Sequence, residues 1–340
     1  MALGHFRLRK RLTVMRGFKN RLLILGTGPS AVGLCRIILS DLRLVNVVGF
    51  LDGQAERIGE RLVNPGIIGT YDQLAELVKQ HQVNTIVVCM EDRRSVLPVQ
   101  SLLDCKVMGL DVLDGHHLFE EAAGRLSIDS LYPSALIFSE GFRRRLTSLV
   151  GKRLLDLVLS IVGLVVLIPL FVLVAALIRL DTPGPIFYRQ MRVGLRSQPY
   201  MIWKFRSMRQ DAERNGPSCA EVNDPRISRV GWWLRKTRID ELPQLFNVLK
   251  GEMSLVGPRP ERPVFVDKLR TQIPYYDIRH TVRPGITGWA QVKFRYAASQ
   301  EDSHMKLQYD LYYVKHLSFL LDLKIMMHTI RVVLFGEGAR

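Results

Sequence analysis

The chain has 340 residues, of which 47% are hydrophobic and 24% charged, a composition suited to globular cores and a length suited to two domains. Lys and Arg number 48 against 32 Asp and Glu, so the formal net charge of +16 calls for a polyanionic partner: nucleic acid, anionic lipid headgroups or a phosphorylated substrate. The four cysteines, Cys35, Cys89, Cys105 and Cys219, are scattered without a CxxC pair, which argues against a zinc site and a disulfide framework and fits a reducing setting.

Residues 1–20 form a basic leader containing Arg7, Arg9, Lys10, Arg11, Arg16 and Lys19, with no apolar run of signal-peptide type. Residues 21–141 then alternate strand and helix. The stretch "RLLILGTGPSAVGLCRIIL" reads as an apolar strand, a glycine turn and a helix, and "VNVVGFLDG", "NTIVVCM" and "VMGLDVLD" read as further strands. Strands separated by helical stretches predict a parallel, doubly wound, Rossmann-like α/β domain. Gly26, Gly28 and Ala31 stand at dinucleotide-fingerprint spacing between strand and helix, and Asp52 ends the next strand. That context makes Gly26, Gly28 and Asp52 candidates for nucleotide binding. The competing reading is a tight βα turn that holds no ligand, and no Tyr-x-x-x-Lys pattern follows to decide otherwise.

The segment 142–180 is read as a linker and a membrane helix. From Leu154 to Ile178 the chain is almost wholly apolar, long enough to cross a bilayer, with Asp156 as its one charge. Pro169 lies well inside this run, removes a backbone hydrogen bond and predicts a break. Both flanks are basic: Arg143, Arg144, Arg145, Lys152 and Arg153 before, Arg179, Arg189, Arg192 and Arg196 after. Basic flanks normally stay cytoplasmic, so a re-entrant helix–break–helix is favoured over a straight span, with a buried soluble helix as the bland alternative. The ending "LQYDLYYVKHLSFLLDLKIMMHTIRVVLF" is amphipathic, and suits either a membrane surface or a core helix pair.

Between these lies "RIDELPQL", which sets Asp240 and Glu241 side by side in a basic region. Thr237-x-x-Asp240 matches a capping box, in which Asp240 would only cap a helix. Pro243 would then fall in the second turn, so a helix beginning between Asp240 and Leu242 and ending at Gly251 is preferred. The carboxylates would sit at its positive end, one able to face a phosphorus and the other a metal ion. Arg235 and Arg238 lie close in sequence, "MIWKFRSMR" adds Lys204 and Arg206, and Arg259 is held between Pro258 and Pro260. A restrained guanidinium suits bidentate phosphate binding.

"KFRSM", "NDPRISRVGWWLRKTRIDELPQLFNVLKGEMSLVGPRP" and "RPGITGWAQV", in this order, resemble the bacterial sugar transferases, the monotopic polyprenyl-phosphate glycosyl-1-phosphate transferases. The resemblance covers about residues 140–340, with a mainly helical catalytic domain over 181–340, and residues 21–140 resemble the Rossmann-like domain of the long members. The ending resembles members from exopolysaccharide operons. Long members begin with about four transmembrane helices; residues 1–20 look like the stretch that would come after these. The resemblance implies transfer of sugar-1-phosphate from a UDP-sugar to undecaprenyl phosphate with release of UMP. It implies Asp240 as nucleophile, Glu241 as ligand to Mg2+, and Arg206, Arg235 and Arg259 at the phosphates. It further implies a homodimer at the cytoplasmic face of the bacterial inner membrane, with no nucleic acid as partner. Two rivals remain at this point: an NAD-dependent nucleotide-sugar dehydratase or epimerase, which leaves the apolar run unexplained, and a basic membrane scaffold, which leaves the acid pair unused.

Overall fold

A computed structural model of the protein describes residues 20–41, 45–90, 96–128, 141–142, 146–210, 212, 224–294 and 300–335. The basic leader up to residue 19, the flanking Arg143, Arg144 and Arg145, and Cys219 lie outside the described residues. The chain divides into two compact units, 1–139 and 140–340.

The first unit is α/β. Strands β1 (Asn20–Leu25), β2 (Val45–Asp52), β3 (Ile67–Thr70), β4 (Thr85–Val88) and β5 (Asp111–Asp114) form one parallel sheet in the order β3-β2-β1-β4-β5. Winding reverses between β1 and β4. Side chains of β1 alternate between two cores, as strand geometry requires. Leu22 and Ile24 pack under α1 (Pro29–Asp41) and α4 (Gly115–Ala123). Leu23 and Leu25 face α2 (Leu74–Gln80) and α3 (Val99–Val107). All four leucine and isoleucine side chains are fully buried, each worth about 1.5–3 kcal/mol of transfer free energy. Helices on both faces leave this sheet no solvated side, which is why its strands read as continuous apolar runs.

The second unit opens with α5 (Leu146–Val166) and α6 (Ile168–Asp181), which meet at 60°. Among the described residues no single helix is long and apolar enough to cross a membrane; this bent pair meets the length and hydropathy requirement together. The bend falls at Leu167, two residues before Pro169. The proline ring conflicts with the carbonyl four residues earlier, at Val165, and itself rests in the first turn of α6, where its missing N–H costs nothing. The helix α5 is inverted relative to a core helix, and α6 is apolar on both its buried and its exposed faces. Asp156 and Ser160 are buried, whereas Val158, Ile161, Val162, Val165, Val166, Val172 and Leu173 are exposed. Asp156 Oδ1 accepts the Leu255 amide at 3.0 Å, so the one charge of the run is turned into the protein.

Two of the flanking cations also point inward. Lys152 donates to Asp322 at 2.7 Å and to the Val256 carbonyl at 2.9 Å. Arg153 donates to the Val248 and Leu249 carbonyls, closing the end of the helix beyond the acid pair. These two residues anchor α5 to the rest of the unit, so their charge says less about topology than the sequence implied.

An antiparallel hairpin, β6 (Phe187–Val193) and β7 (Pro199–Phe205), leads to α7 (Arg229–Lys236) and α8 (Gln244–Lys250). Then come β8 (Ser254–Val256), α9 (Pro263–Gln272), β9 (Gly285–Thr287), α10 (Trp289–Lys293), α11 (Gln300–Lys315) and α12 (Phe319–Phe335), with β8 and β9 parallel. Val174 and Ile178 of α6 pack with Phe205 and Leu234, and Phe171 meets Phe205 edge-on at 5.1 Å. The terminal helices bury one apolar face and expose another. Tyr313, Val314 and Ile325 are core, while Phe319, Leu320, Leu323, Met327 and Ile330 are exposed.

Candidate active site

Asp240 and Glu241 occupy a 3₁₀ turn, Ile239–Glu241, between α7 and α8. Thr237 ends α7 rather than capping a new helix; its hydroxyl donates back to the Trp233 carbonyl at 2.8 Å. The capping-box reading therefore fails. Arg238 then takes a left-handed conformation (φ 60°) that reverses the chain, and Pro243 precedes the first residue of α8. Gly251 closes α8 at φ 85°, a conformation glycine adopts without strain. The acid pair is thus set by a turn ahead of α8 and not by its first turn.

Both carboxylates are 7% exposed, yet their surroundings differ. Glu241 Oε1 accepts Lys204 Nζ and Arg259 Nη2, each at 2.7 Å, and Oε2 accepts Arg259 Nη1 at 3.3 Å. Burial opposes its ionisation, but Arg259 and Lys204 outweigh burial and hold Glu241 well below the ordinary carboxylate range. Asp240 has no such partner. Among the described residues its buried Oδ1 accepts no hydrogen bond. Burial, then the Glu241 charge, raise its pKa to about 6 against the pull of Lys204, Arg235 and Arg259. The result is one carboxylate fixed between cations and one desolvated carboxylate with a free oxygen. That oxygen is available to a ligand: a phosphorus it could attack, or a cation.

The framework holding these groups is largely backbone-directed. Lys204 projects from β7 and is itself drawn down in pKa by burial while Glu241 opposes the change. Asn247 of α8 is fully buried and clamps β7: its Oδ1 accepts the Trp203 amide at 3.0 Å, and its Nδ2 donates to the Met201 carbonyl at 2.7 Å. The Pro258–Pro260 loop that presents Arg259 is gripped on its carbonyls. Arg279 donates to the Arg259 carbonyl at 2.8 Å, Arg192 to that of Pro260 at 3.0 Å, and the Gly285 amide to that of Pro258 at 3.0 Å. Arg279 is paired in turn with Asp310 at 2.8 Å.

Of the expected phosphate ligands, Arg259 and Arg235 act on the acid pair, Arg259 directly and Arg235 through its charge on Asp240. Arg206 is placed otherwise. It is buried, and its guanidinium donates to the Thr182 and Pro183 carbonyls just beyond α6 at 2.7 and 2.8 Å. Arg206 thereby fastens the end of the bent pair to β7. Lys204, Asn247, Arg192 and Arg279 complete the site. Lys204 carries a sequence signal, since strand alternation puts it on the same face as the buried Ile202. The contacts that tie Arg192 and Arg279 to the Arg259 loop, to the Pro260 and Arg259 carbonyls and to Asp310, span 20 residues or more and leave no such mark.

In the first unit, Gly26 (φ 107°) approaches β4 so closely that a Cβ would lie 2.8 Å from the Cys89 carbonyl. Gly28 comes next in the same turn, its carbonyl accepting the Val32 amide at 3.1 Å. Asp52 at the end of β2 is fully engaged. Oδ2 accepts Arg57 at 2.7 Å and the Thr27 hydroxyl, and Oδ1 accepts the Gln54 amide at 3.0 Å.

A family model described as bacterial sugar transferase matches residues 147–336, which include all but the first residue of the bent helix pair and every residue of this site. The chain belongs to the bacterial sugar transferase family. It is 43% identical over 239 residues to the UDP-N-acetylgalactosamine-undecaprenyl-phosphate N-acetylgalactosaminephosphotransferase of Aeromonas hydrophila, covering 70% of this chain and 56% of that one. It is 32% identical over 338 residues to the undecaprenyl-phosphate glucose phosphotransferase of Komagataeibacter xylinus, covering 96% and 61% respectively. It is also 32% identical over 341 residues to the UDP-glucose:undecaprenyl-phosphate glucose-1-phosphate transferase of Xanthomonas campestris pv. campestris, covering 93% and 69%. This sugar transferase thus spans about three fifths of the length of the first two relatives.

Proposed function

We propose that the chain transfers a sugar-1-phosphate from a UDP-sugar to undecaprenyl phosphate, through a sugar phosphate carried on Asp240. The relatives are named for this transfer with two different sugars among them, N-acetylgalactosamine and glucose, so the sugar is left unassigned. The observation that carries the reading is the unpartnered, buried Oδ1 of Asp240 beside a Glu241 locked to Lys204 and Arg259.

In the first step an Asp240 oxygen attacks the sugar-bearing phosphorus. The bond from that phosphorus to the bridging oxygen breaks, and UMP leaves with the electron pair. In the second step an oxygen of undecaprenyl phosphate attacks the same phosphorus, and the Asp240–phosphorus bond breaks to restore the carboxylate. One phosphoanhydride replaces another, so no ATP is consumed. The covalent step lets two bulky substrates use one site in turn. Desolvation favours Asp240 as nucleophile, while Lys204, Arg235 and Arg259 offset the repulsion between its charge and the diphosphate.

Mg2+ fits this donor set in one manner. Among the described residues no cluster of three acidic, His or Cys side chains surrounds a metal position. Mg2+ sites built from one or two carboxylates and substrate phosphates need no such cluster. Asp240 Oδ1 is free, and Glu241 Oε2, with one long contact at 3.3 Å, keeps a second lone pair. When bound, the ion would neutralise diphosphate charge.

The remaining assignments belong to the same reading. The bent pair α5–α6 is a re-entrant membrane segment, entering and leaving at the cytoplasmic face of the bacterial inner membrane. The exposed valines and isoleucines meet lipid, and the buried Asp156 supports it from within. The first unit is a Rossmann-like domain, supported by its strand order and two-faced helix cover. The enzyme acts as a homodimer in exopolysaccharide synthesis. The test is mass spectrometry of the protein given a panel of UDP-sugars without lipid acceptor. A sugar-phosphate adduct on the peptide holding Asp240, with one equivalent of UMP released, is expected; UMP release without an adduct would refute the two-step route.

A further inference from the structure

A second group of unpaired charge lies away from the acid pair, where α10 meets α12. Trp289, at the start of α10, is buried and stacks on Tyr312 with ring centroids 6.0 Å apart. Two ammonium groups from different elements reach the same indole. Lys293 Nζ stands 4.8 Å from its centroid and Lys324 Nζ 5.3 Å. Among the described residues neither lysine has a carboxylate partner. The acid on the same helix, Asp322, is taken by Lys152 and the Tyr313 hydroxyl, both at 2.7 Å. Burial, and then the charge of Lys293, draw the pKa of Lys324 below its ordinary value, as two like charges held together without a counter-ion require.

The surroundings specify what would supply the counter-charge. Lys324 lies between Leu323 and Met327, on the edge of an exposed stripe formed by Leu320, Leu323, Met327 and Ile330. Lysines bordering an apolar stripe reach along it to place their charge at the level of lipid phosphates. The helix α12 is tied to α5 by the Lys152–Asp322 pair, and α5 bears its own exposed apolar face. An acidic peptide would satisfy the lysines but would leave the stripe in water. A phospholipid satisfies both, through its phosphodiester and its acyl chains.

We propose that Lys293 and Lys324, over the face of Trp289, hold the phosphodiester headgroup of an anionic membrane phospholipid whose chains lie along Leu320, Leu323, Met327 and Ile330. The anion relieves the repulsion between the lysines. A net negative headgroup is preferred because a choline cation would restore the unfavourable charge. The assignment goes beyond the transferase reading and does not depend on Asp240.

The experiment titrates the full-length protein in detergent with phosphatidylglycerol or phosphatidylcholine and counts retained lipid by native mass spectrometry. Wild-type protein is expected to retain phosphatidylglycerol in preference. Each lysine lost should weaken retention about fivefold, and Lys293→Gln with Lys324→Gln together about 30-fold. The paired arginine substitutions keep the charge and should retain the lipid, which separates loss of the site from loss of the fold. Equal retention of the two lipids by wild type, or unchanged retention by the double glutamine variant, would overturn the proposal. Displacement by inorganic phosphate at matching concentration would reassign the site to free phosphate, and displacement by an acidic peptide to a protein partner. Either result sinks the lipid assignment.

Discussion

Two acids, one in each unit, share the same burial and differ in everything else that matters. Asp52 and Asp240 are both 7% exposed. Asp52 ends a strand in a nucleotide-fingerprint context, and each of its oxygens is already matched by Arg57, Thr27 or the Gln54 amide. Asp240 stands in a 3₁₀ turn with an oxygen that accepts nothing among the described residues, beside a glutamate that has taken the cations. A buried ion with complete partners is a structural element; a buried ion without them stores free energy that a ligand can release. Burial alone separates neither case. The decisive quantity is the number of partners left unmade.

The sharpest way to break this contrast is Asp240→Asn. The substitution removes the attacking charge with little change of shape, so UMP release should fall by on the order of 10⁴-fold. Stability should hold or rise, because the lost charge was an unpaired one; a thermal melt at pH 7.5 would show a midpoint no lower than wild type. A melt lowered by several degrees would mean that Asp240 has structural partners after all, and an active variant would remove it from the chemistry. Glu241→Gln should act in the opposite proportion. Lys204 and Arg259 lose their common anion, which should cost about 2 kcal/mol, the low side for a broken buried pair because Arg259 remains 30% exposed. The rate should drop by on the order of 10²-fold as the cations shift towards Asp240. Equal stability with equal rate loss in both variants would erase the distinction between them.

These contrasts were only partly legible in the sequence. Apolar runs broken by helical stretches marked β1, β2 and β4, since strands buried on both faces need no alternation to be visible, whereas "VMGLDVLD" overlaps the end of α3 and only its last four residues form β5, a half-exposed edge strand. The strand β3 escaped because "IIGT" offers only two apolar residues before a glycine, whereas the equally short β4 sits in the longer apolar run "TIVVCM". Pro169 marked the break of the apolar run, but the steric conflict acts on the preceding turn, so the bend lies at Leu167. Around the acid pair, Gly251 gave the stop of α8, whereas the 3₁₀ turn depends on the left-handed Arg238, which no local rule announces. Arg206 looked like its neighbour Lys204 in sequence. Which of the two reaches Glu241 was decided by where β7 ends, and Arg206 falls just past that end, against the carbonyls just beyond α6.

A pH profile tests the same contrast without mutation. With its pKa raised to about 6, Asp240 is ionised at pH 7.5 and protonates as pH falls through that value. The rate of UMP release should therefore decline below about pH 6 with a slope of one proton. Because this carboxyl is more acidic unfolded than folded, it favours folding at low pH and that contribution is lost as pH rises through about 6. In Glu241→Gln the raising effect of the neighbouring charge is gone, so the midpoint of the rate should move to lower pH. A profile that stays flat to pH 5 in wild type would show that no carboxylate with a raised pKa performs the attack.

The smallest effect is expected at Asp52. The substitution Asp52→Asn, with one carbonyl oxygen, would keep an acceptor for the Gln54 amide or for the Thr27 hydroxyl but not for both, and would lose the charge facing Arg57. Arg57 is 33% exposed, so water replaces most of the ion pair that is removed, and the loss of stability from the missing charge should be small. Transfer in vitro should be unchanged, in contrast to the collapse expected for Asp240→Asn at the same burial. Gly28→Val provides the complementary probe, since a side chain in that turn blocks close approach of any ligand to the backbone. If both variants fold and both keep the wild-type rate across added nucleotides, the first unit is a scaffold whose acid is structural. If either rate acquires or loses a response to nucleotide, the matched partners of Asp52 are a resting arrangement that a ligand displaces, and the rule drawn from the two acids fails at its simpler case.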